Sequence, residues 1–246
     1  MSKRKAILLI IFAALLISGA AICAGAQDRN GAVKQNTREP ATKPAPPPSS
    51  PSGTHAGDAS YSYEFQQAKF FIRHVVIKHD ASGRGEITFE RQGDLEPIVE
   101  PFELSESSWA RIAALWDALR FLDSNTDYQA EKQFPHLGTM RLGMTKGTVK
   151  RVAEFNWTND PNAKALTNEY RRISNQAIFI FDIGVARENQ PLNSPKLLDQ
   201  LDRFIITKEL SDPQQLLPLL RELSTDERIP LMARNHAGRI LKKLEK

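Results

Sequence analysis

Cysteine is almost absent from this sequence. Cys23 is the only one in 246 residues, and it sits inside an apolar N-terminal run. Removal of that run leaves a chain with no thiol, which excludes disulfides, thiol catalysis, Cys-ligated zinc and iron–sulfur clusters. Stability must then come from an apolar core alone, and the roughly 186 residues after position 60 are enough to bury one.

Acidic residues are missing from the first 26 positions, where Lys3, Arg4 and Lys5 precede an uncharged stretch from Ala6 to Ala26. Basic flank, apolar run and the small-x-small close Ala24-Gly25-Ala26 form a secretory signal, with cleavage leaving Gln27 first. Residues 6–26 are also long enough to serve as an uncleaved inner-membrane anchor. Lipid attachment at Cys23 is the weaker third route, because Ile22 stands where a small residue is usual. All three routes export the body, to the periplasm or the exterior of a bacterium, since the positive flank stays cytoplasmic.

A surplus of basic charge is missing from the body, despite a net charge of +4 for the whole chain. Setting aside Lys3, Arg4 and Lys5, and in the next segment Arg29, Lys34, Arg38 and Lys43 with Asp28, Glu39 and Asp58, leaves 26 basic and 26 acidic residues. A neutral, mixed-sign body lacks the electrostatic footprint of a nucleic-acid binder. Large apolar residues are scarce over 27–60, where Pro, Ser, Ala, Gly and Thr dominate around Lys43-Pro44-Ala45-Pro46-Pro47-Pro48. Such a composition predicts a solvated, disordered linker.

The remainder divides into an α+β domain over 61–190 and an all-helical extension over 191–246. Phe70 to Ile77 predicts an interior strand, Ser82-Gly83-Arg84-Gly85 a turn, and Glu86 to Glu90 the hairpin partner. Ile98 to Leu104 predicts a third strand, placed at the sheet edge by Pro101. Ser105 caps a helix striped by Trp109, Ile112, Ala113, Trp116 and Leu119. A second hairpin pairs Met140, Leu142 and Met144 with Ala153, Phe155 and Trp157 through Lys146-Gly147, and Asp160-Pro161 starts a helix running to about Ala186. The expected fold is an antiparallel sheet of about five strands, β-β-β-α-β-β-α, with a helical C-terminal cap.

After Gln190, Ser194-Pro195, Asp212-Pro213 and Pro230 mark the starts of about three short helices. The last, Ile229 to Leu241, with Ala233 and Ala237 spaced to admit a partner helix, resembles one helix of a HEAT-type repeat. The resemblance covers residues 229–246 at most and occurs once, whereas arrays need about three stacked copies. A cap on the α+β body is therefore expected.

Catalytic signatures are absent: there is no HExxH, Walker loop, GxGxxG or GxSxG. Ser105, Ser107 and Ser108 have no positioned base and suit helix capping. Glu86 and Glu90 share one wet strand face. His74 and His79, five apart in a strand, point to opposite faces and cannot share a metal. His79-Asp80 at a hairpin end is the nearest approach to an acid–base pair; His136 falls in a loop, His236 on the apolar stripe of the last helix, and His55 in the linker. No metal or cofactor is expected.

One constellation suggests a ligand site. Asn156, Trp157, Asn159 and Asp160 lie where a strand ends and a capped helix begins, a junction at which an aromatic ring can stack on a sugar or peptide. Turn and cap chemistry alone predicts the same residues. The function expected is a non-enzymatic binding or protein-interaction module of the envelope, with a protein partner docking through the C-terminal helices. The alternatives are a hydrolase or metal-dependent enzyme assembled only in three dimensions, or a small-ligand or glycan binder at Trp157.

Overall fold

Six strands form one antiparallel sheet in the computed structural model, which describes residues 59–246. They are β1 (Ala59–Gln66), β2 (Ile72–Asp80), β3 (Arg84–Arg91), β4 (Ile98–Glu103), β5 (Thr139–Lys146) and β6 (Val149–Phe155). Their order in the sheet is β4-β3-β2-β1-β5-β6. Helix α1 (Glu106–Leu119) connects β4 to β5, α2 (Pro161–Asn189) follows β6, and α3 (Ser194–Thr207), α4 (Leu217–Thr225) and α5 (Leu231–Leu244) close the chain. The α+β class, both expected hairpins, the edge position of the Pro101 strand and the helical C-terminus all match the sequence reading. The signal segment, Cys23, His55 and the linker up to residue 58 lie outside the described residues. Among the described residues, no helix is long and apolar enough to cross a membrane.

The strand count needs correcting from five to six. Residues 59–66, split between the linker and an unassigned stretch in the sequence reading, form β1, which pairs with β2 on one side and β5 on the other. It is the strand that joins the two halves of the sheet. Tyr61, Tyr63 and Phe65 alternate with Ser62 and Glu64, the period of a strand with one wet face. The continuous apolar run just after them drew the predicted strand too far toward the N-terminus. Phe70 and Phe71 precede β2 in a loop and are exposed.

Directly paired residues share a sheet face, so the register sorts the two surfaces. Tyr61, Tyr63, Val75, Ile77, Ile87, Phe89 and Leu142 face inward and are buried. The outer face carries a ladder of charge across five strands. His74 sets Nδ1 3.1 Å from Glu90 Oε1 and Nε2 3.0 Å from Glu64 Oε1, and Arg141 bridges Glu64 to Glu154. The hydrogen bond from His74 holds the Glu90 carboxyl below the ordinary carboxylate range. This wet ladder keeps β2 interior to the sheet yet uncovered on one side, with His74 and His79 on opposite faces as their spacing requires.

Helix α2 holds the domain together. Asp160 Oδ1 accepts from the amides of Asn162 at 2.9 Å and Ala163 at 2.8 Å, Pro161 is the first helical residue, and the 29 residues of the helix extend about 43 Å. Its first half buries Leu166, Tyr170 and Ile173 against the sheet; its second half buries Phe179 and Ile183 against Leu198, Leu201, Leu220 and Ala237 of the C-terminal helices. Those helices turn their apolar stripes inward. Ala233 and Ala237, both fully buried, bring α5 close to its neighbours.

A polar relay lies inside the first core. The Trp116 indole donates to the Tyr170 hydroxyl at 3.0 Å, and that hydroxyl lies 2.8 Å from His79 Nε2. His79 Nδ1 is 2.9 Å from the Asp80 carbonyl. With Nδ1–H donating to the carbonyl and Nε2 accepting from Tyr170, each ring nitrogen is satisfied by a neutral imidazole. The ring also stacks on Tyr61 at 5.1 Å, and Gly85 opposite it has no room for a side chain, since a Cβ there would lie 2.7 Å from His79 Cα.

Burial lowers the His79 pKa below its ordinary 6.5. Below pH 6.5 the unfolded chain therefore takes up a proton that the folded chain refuses, and stability falls until folded His79 titrates as well. Urea unfolding between pH 7 and pH 5 should show this decline, with a shallower slope in a His79→Gln variant. Tyr170→Phe should cost about 1–3 kcal/mol at pH 7, because it strands both the indole N–H and the imidazole.

Candidate functional site

A cleft of about 930 Å³ opens at one end of the inner sheet face. Phe65, Ile72, Val75 and Met140 supply its apolar floor from the sheet, and Phe70, Phe71 and Leu137 its exposed apolar margin. Helix α2 supplies Lys164, Asn168, Arg171, Asn175 and Ile178. Their alternating spacing of four and three places them on one helix face, beside the stripe that packs on the sheet.

Two loops shape the margin. Gln67 Nε2 donates to the carbonyls of Pro135 at 3.0 Å and His136 at 2.9 Å, tying the β1–β2 loop to the 3₁₀ turn Pro135–Leu137. Gly138 ends that turn at φ +93°, and a Cβ there would lie 2.7 Å from the Phe65 ring and 2.8 Å from the Gln66 carbonyl. Only glycine permits both the backbone angle and the approach.

The four residues singled out at the strand-to-helix junction part company. Trp157 is half-buried and lines the cleft, with Phe134 edge-on at 5.1 Å and Lys164 Nζ 5.7 Å from its ring centroid. Asn156 also lines the cleft, but its amide group is committed to structure. Its Oδ1 accepts from the Phe134 N–H at 3.0 Å and from Gln129 Nε2 at 3.3 Å, and its backbone N–H donates to Gln129 Oε1 at 2.9 Å. Asn159 is exposed and outside the lining, and Asp160 is occupied as the α2 cap. With the cap in place, the first α2 amides already have an acceptor.

Lys69, Lys164 and Arg171 give the cleft charge of one sign: no Asp or Glu stands among its nineteen lining residues. None of the three cations forms an ion pair among the described residues, whereas Arg73, Arg91 and Arg187 elsewhere each have a carboxylate partner. Clefts beside β4 and on the outer face contain Glu100 and Glu103, or Asp80 and Glu86. At the base, Tyr63 is 2% exposed and stacks on Tyr170 with centroids 5.1 Å apart. Burial pushes its phenol up to about 12, opposed by the nearby Arg171 charge, so the hydroxyl keeps its proton at neutral pH.

Sequence reasoning missed Tyr63, Lys69, Phe70, Phe71 and Arg171. The available signals were a Lys-Phe-Phe triplet at a strand entry and two cations seven apart on α2. Neither is visible as a site until β1 sets the loop and the helix side by side.

The other candidates resolve into structure. The Asp80 carboxylate accepts from Ser82 N at 2.8 Å, Ser82 Oγ at 2.6 Å and Arg84 N at 3.2 Å, closing the hairpin turn, while His79 turns inward to Tyr170. Ser105 caps α1 by accepting from Ser108 N. His236 is not simply packed, as its stripe position suggests: Nδ1 lies 3.2 Å from Asp199 and Nε2 3.9 Å from Asp202, both on α3. Among the described residues, no three His, Cys, Asp or Glu side chains are grouped to hold a metal ion. No family model matches the chain, and no curated protein matches it.

Asn156→Ala should release the 129–134 segment, at a cost of about 1–2 kcal/mol. Hydrogen exchange is the check: the Phe134 amide should exchange faster while the amides of α2 keep their protection.

Proposed function

We propose that this protein is an exported, non-enzymatic binding module of the bacterial envelope that takes a small ligand in the cleft beside Trp157. The observation that carries this reading is the cleft itself. Its volume of about 930 Å³ falls in the range of small-molecule sites, as does its mixture of apolar walls and a few polar groups.

The lining chemistry favours holding a ligand over transforming it. Its described lining contains no Cys, His, Asp or Glu, so its titratable groups are Lys69, Lys164, Arg171 and a Tyr63 phenol that burial keeps protonated. Ser174 and Thr167 donate back to carbonyls of their own helix, and Thr158 accepts from the Asp160 amide. No nucleophile–base pair is formed among these groups. Export is supported by the basic flank, the apolar run and the small-residue site over residues 1–26.

A protein partner at the C-terminal helices is the second reading, favoured by Leu192, Ile206, Leu231 and Met232, all more than half exposed there. Cross-linking in the native envelope would test that surface.

The cleft reading is tested by a thermal-shift screen of the full chain against small envelope metabolites, followed by Trp157→Ala. The expected result is a ligand that raises the melting temperature of the wild type but not of the variant, with the two circular dichroism spectra superimposing. A ligand that stabilises both equally would place binding elsewhere.

A further inference from the structure

The cleft combines two features, an apolar floor and charge of one sign. Its floor is apolar and reaches the surface through Phe70, Phe71 and Leu137, exposed by 43%, 66% and 38%. Its charged groups are three cations, with no carboxylate among the described lining residues. Cations in a cleft with low-dielectric walls focus a positive potential into it. The Tyr63 hydroxyl, which keeps its proton at neutral pH, lines the same cleft as a further donor.

We propose that the cleft binds a single-chain anionic amphiphile delivered as a monomer, an inference that rests on the cleft being a ligand site. The acyl chain lies along Phe65, Ile72, Val75 and Met140 and is covered at the mouth by Phe70 and Phe71. The carboxylate or phosphate head meets Lys69, Lys164 and Arg171 and accepts from Tyr63. An inorganic anion would leave the apolar floor unused, and a neutral glycan would leave the cations unused.

Isothermal titration of the full chain at low salt tests this with decanoate and decyl phosphate, each below its micelle-forming concentration. Decyl maltoside and decyltrimethylammonium are the neutral and cationic controls, and phosphatidylglycerol vesicles present the same charge from a bilayer. The expected result is binding of both anions, with the controls at least about tenfold weaker, that factor corresponding to one charged hydrogen bond. Arg171→Gln and Lys164→Gln should each weaken decanoate binding by about the same factor. Both residues are exposed and form no ion pair among the described residues, so these variants should keep their circular dichroism spectra. Lys78→Gln on the outer face should change nothing.

Equal affinity for the neutral and anionic decyl probes would overturn the anion assignment and leave the small-ligand reading standing. Binding to vesicles without binding of either monomeric anion would overturn it in favour of a membrane surface. Binding of no probe would overturn the amphiphile assignment, while the cleft reading would stand or fall by the thermal-shift screen.

Discussion

The Tyr170 hydroxyl is the point on which the rest of the structure depends. It accepts from Trp116 on α1 and faces His79 on β2, so one oxygen joins both covering elements to the sheet. Apolar packing alone leaves a helix free to slide along a sheet by small steps at little cost, whereas a buried polar group has only one position in which every partner is satisfied. The stacking of the same ring on Tyr63 completes the clamp from β1. Helix α2 is thereby fixed in rotation and in register at about its first third.

That fixed rotation accounts for the cleft. With Tyr170 and Leu166 turned to the sheet, the neighbouring face of α2 carrying Lys164, Asn168, Arg171 and Asn175 overlooks the sheet end where β1 gives way to the Gln67–Phe71 loop. Those side chains are too polar to bury there, and the sheet beneath them is too apolar to leave fully wet. The loops held by Gln67, Gly138 and Asn156 wall the space without filling it. Beyond the cleft, the second half of α2 packs on the C-terminal helices, and the Arg187 contacts to Glu222 and Asp226 tie its end to the last turn and C-cap of α4.

Elements with a local signature were legible in the sequence. Asp160-Pro161 specifies the start of α2 by side-chain and ring geometry that needs no distant partner, and Lys146-Gly147 specifies a turn in the same way. The alternation of β5 and the edge position of the Pro101 strand follow from single-strand rules. Strand β1 was missed although Tyr61, Tyr63 and Phe65 alternate cleanly, because a stretch of linker-like composition precedes it in sequence and a stronger apolar run follows it. The site was half legible for a related reason. Trp157 and Asn156 stand out locally, but Asp160 nearby serves only as a cap, and nothing near Lys69 or Arg171 in sequence indicates that they line one cleft. Their juxtaposition depends on β1 pairing with both β2 and β5, a contact between residues about eighty positions apart.

Where the ligand sits is read directly by a chemical-shift map of the isotope-labelled chain titrated with monomeric decanoate. The account predicts changes concentrated at Lys69 to Phe71, Asn156 to Trp157 and Lys164 to Arg171, with the indole of Trp157 among the largest. Changes centred instead on the outer face at Ser62 and Lys78, or along α3 to α5, would contradict it.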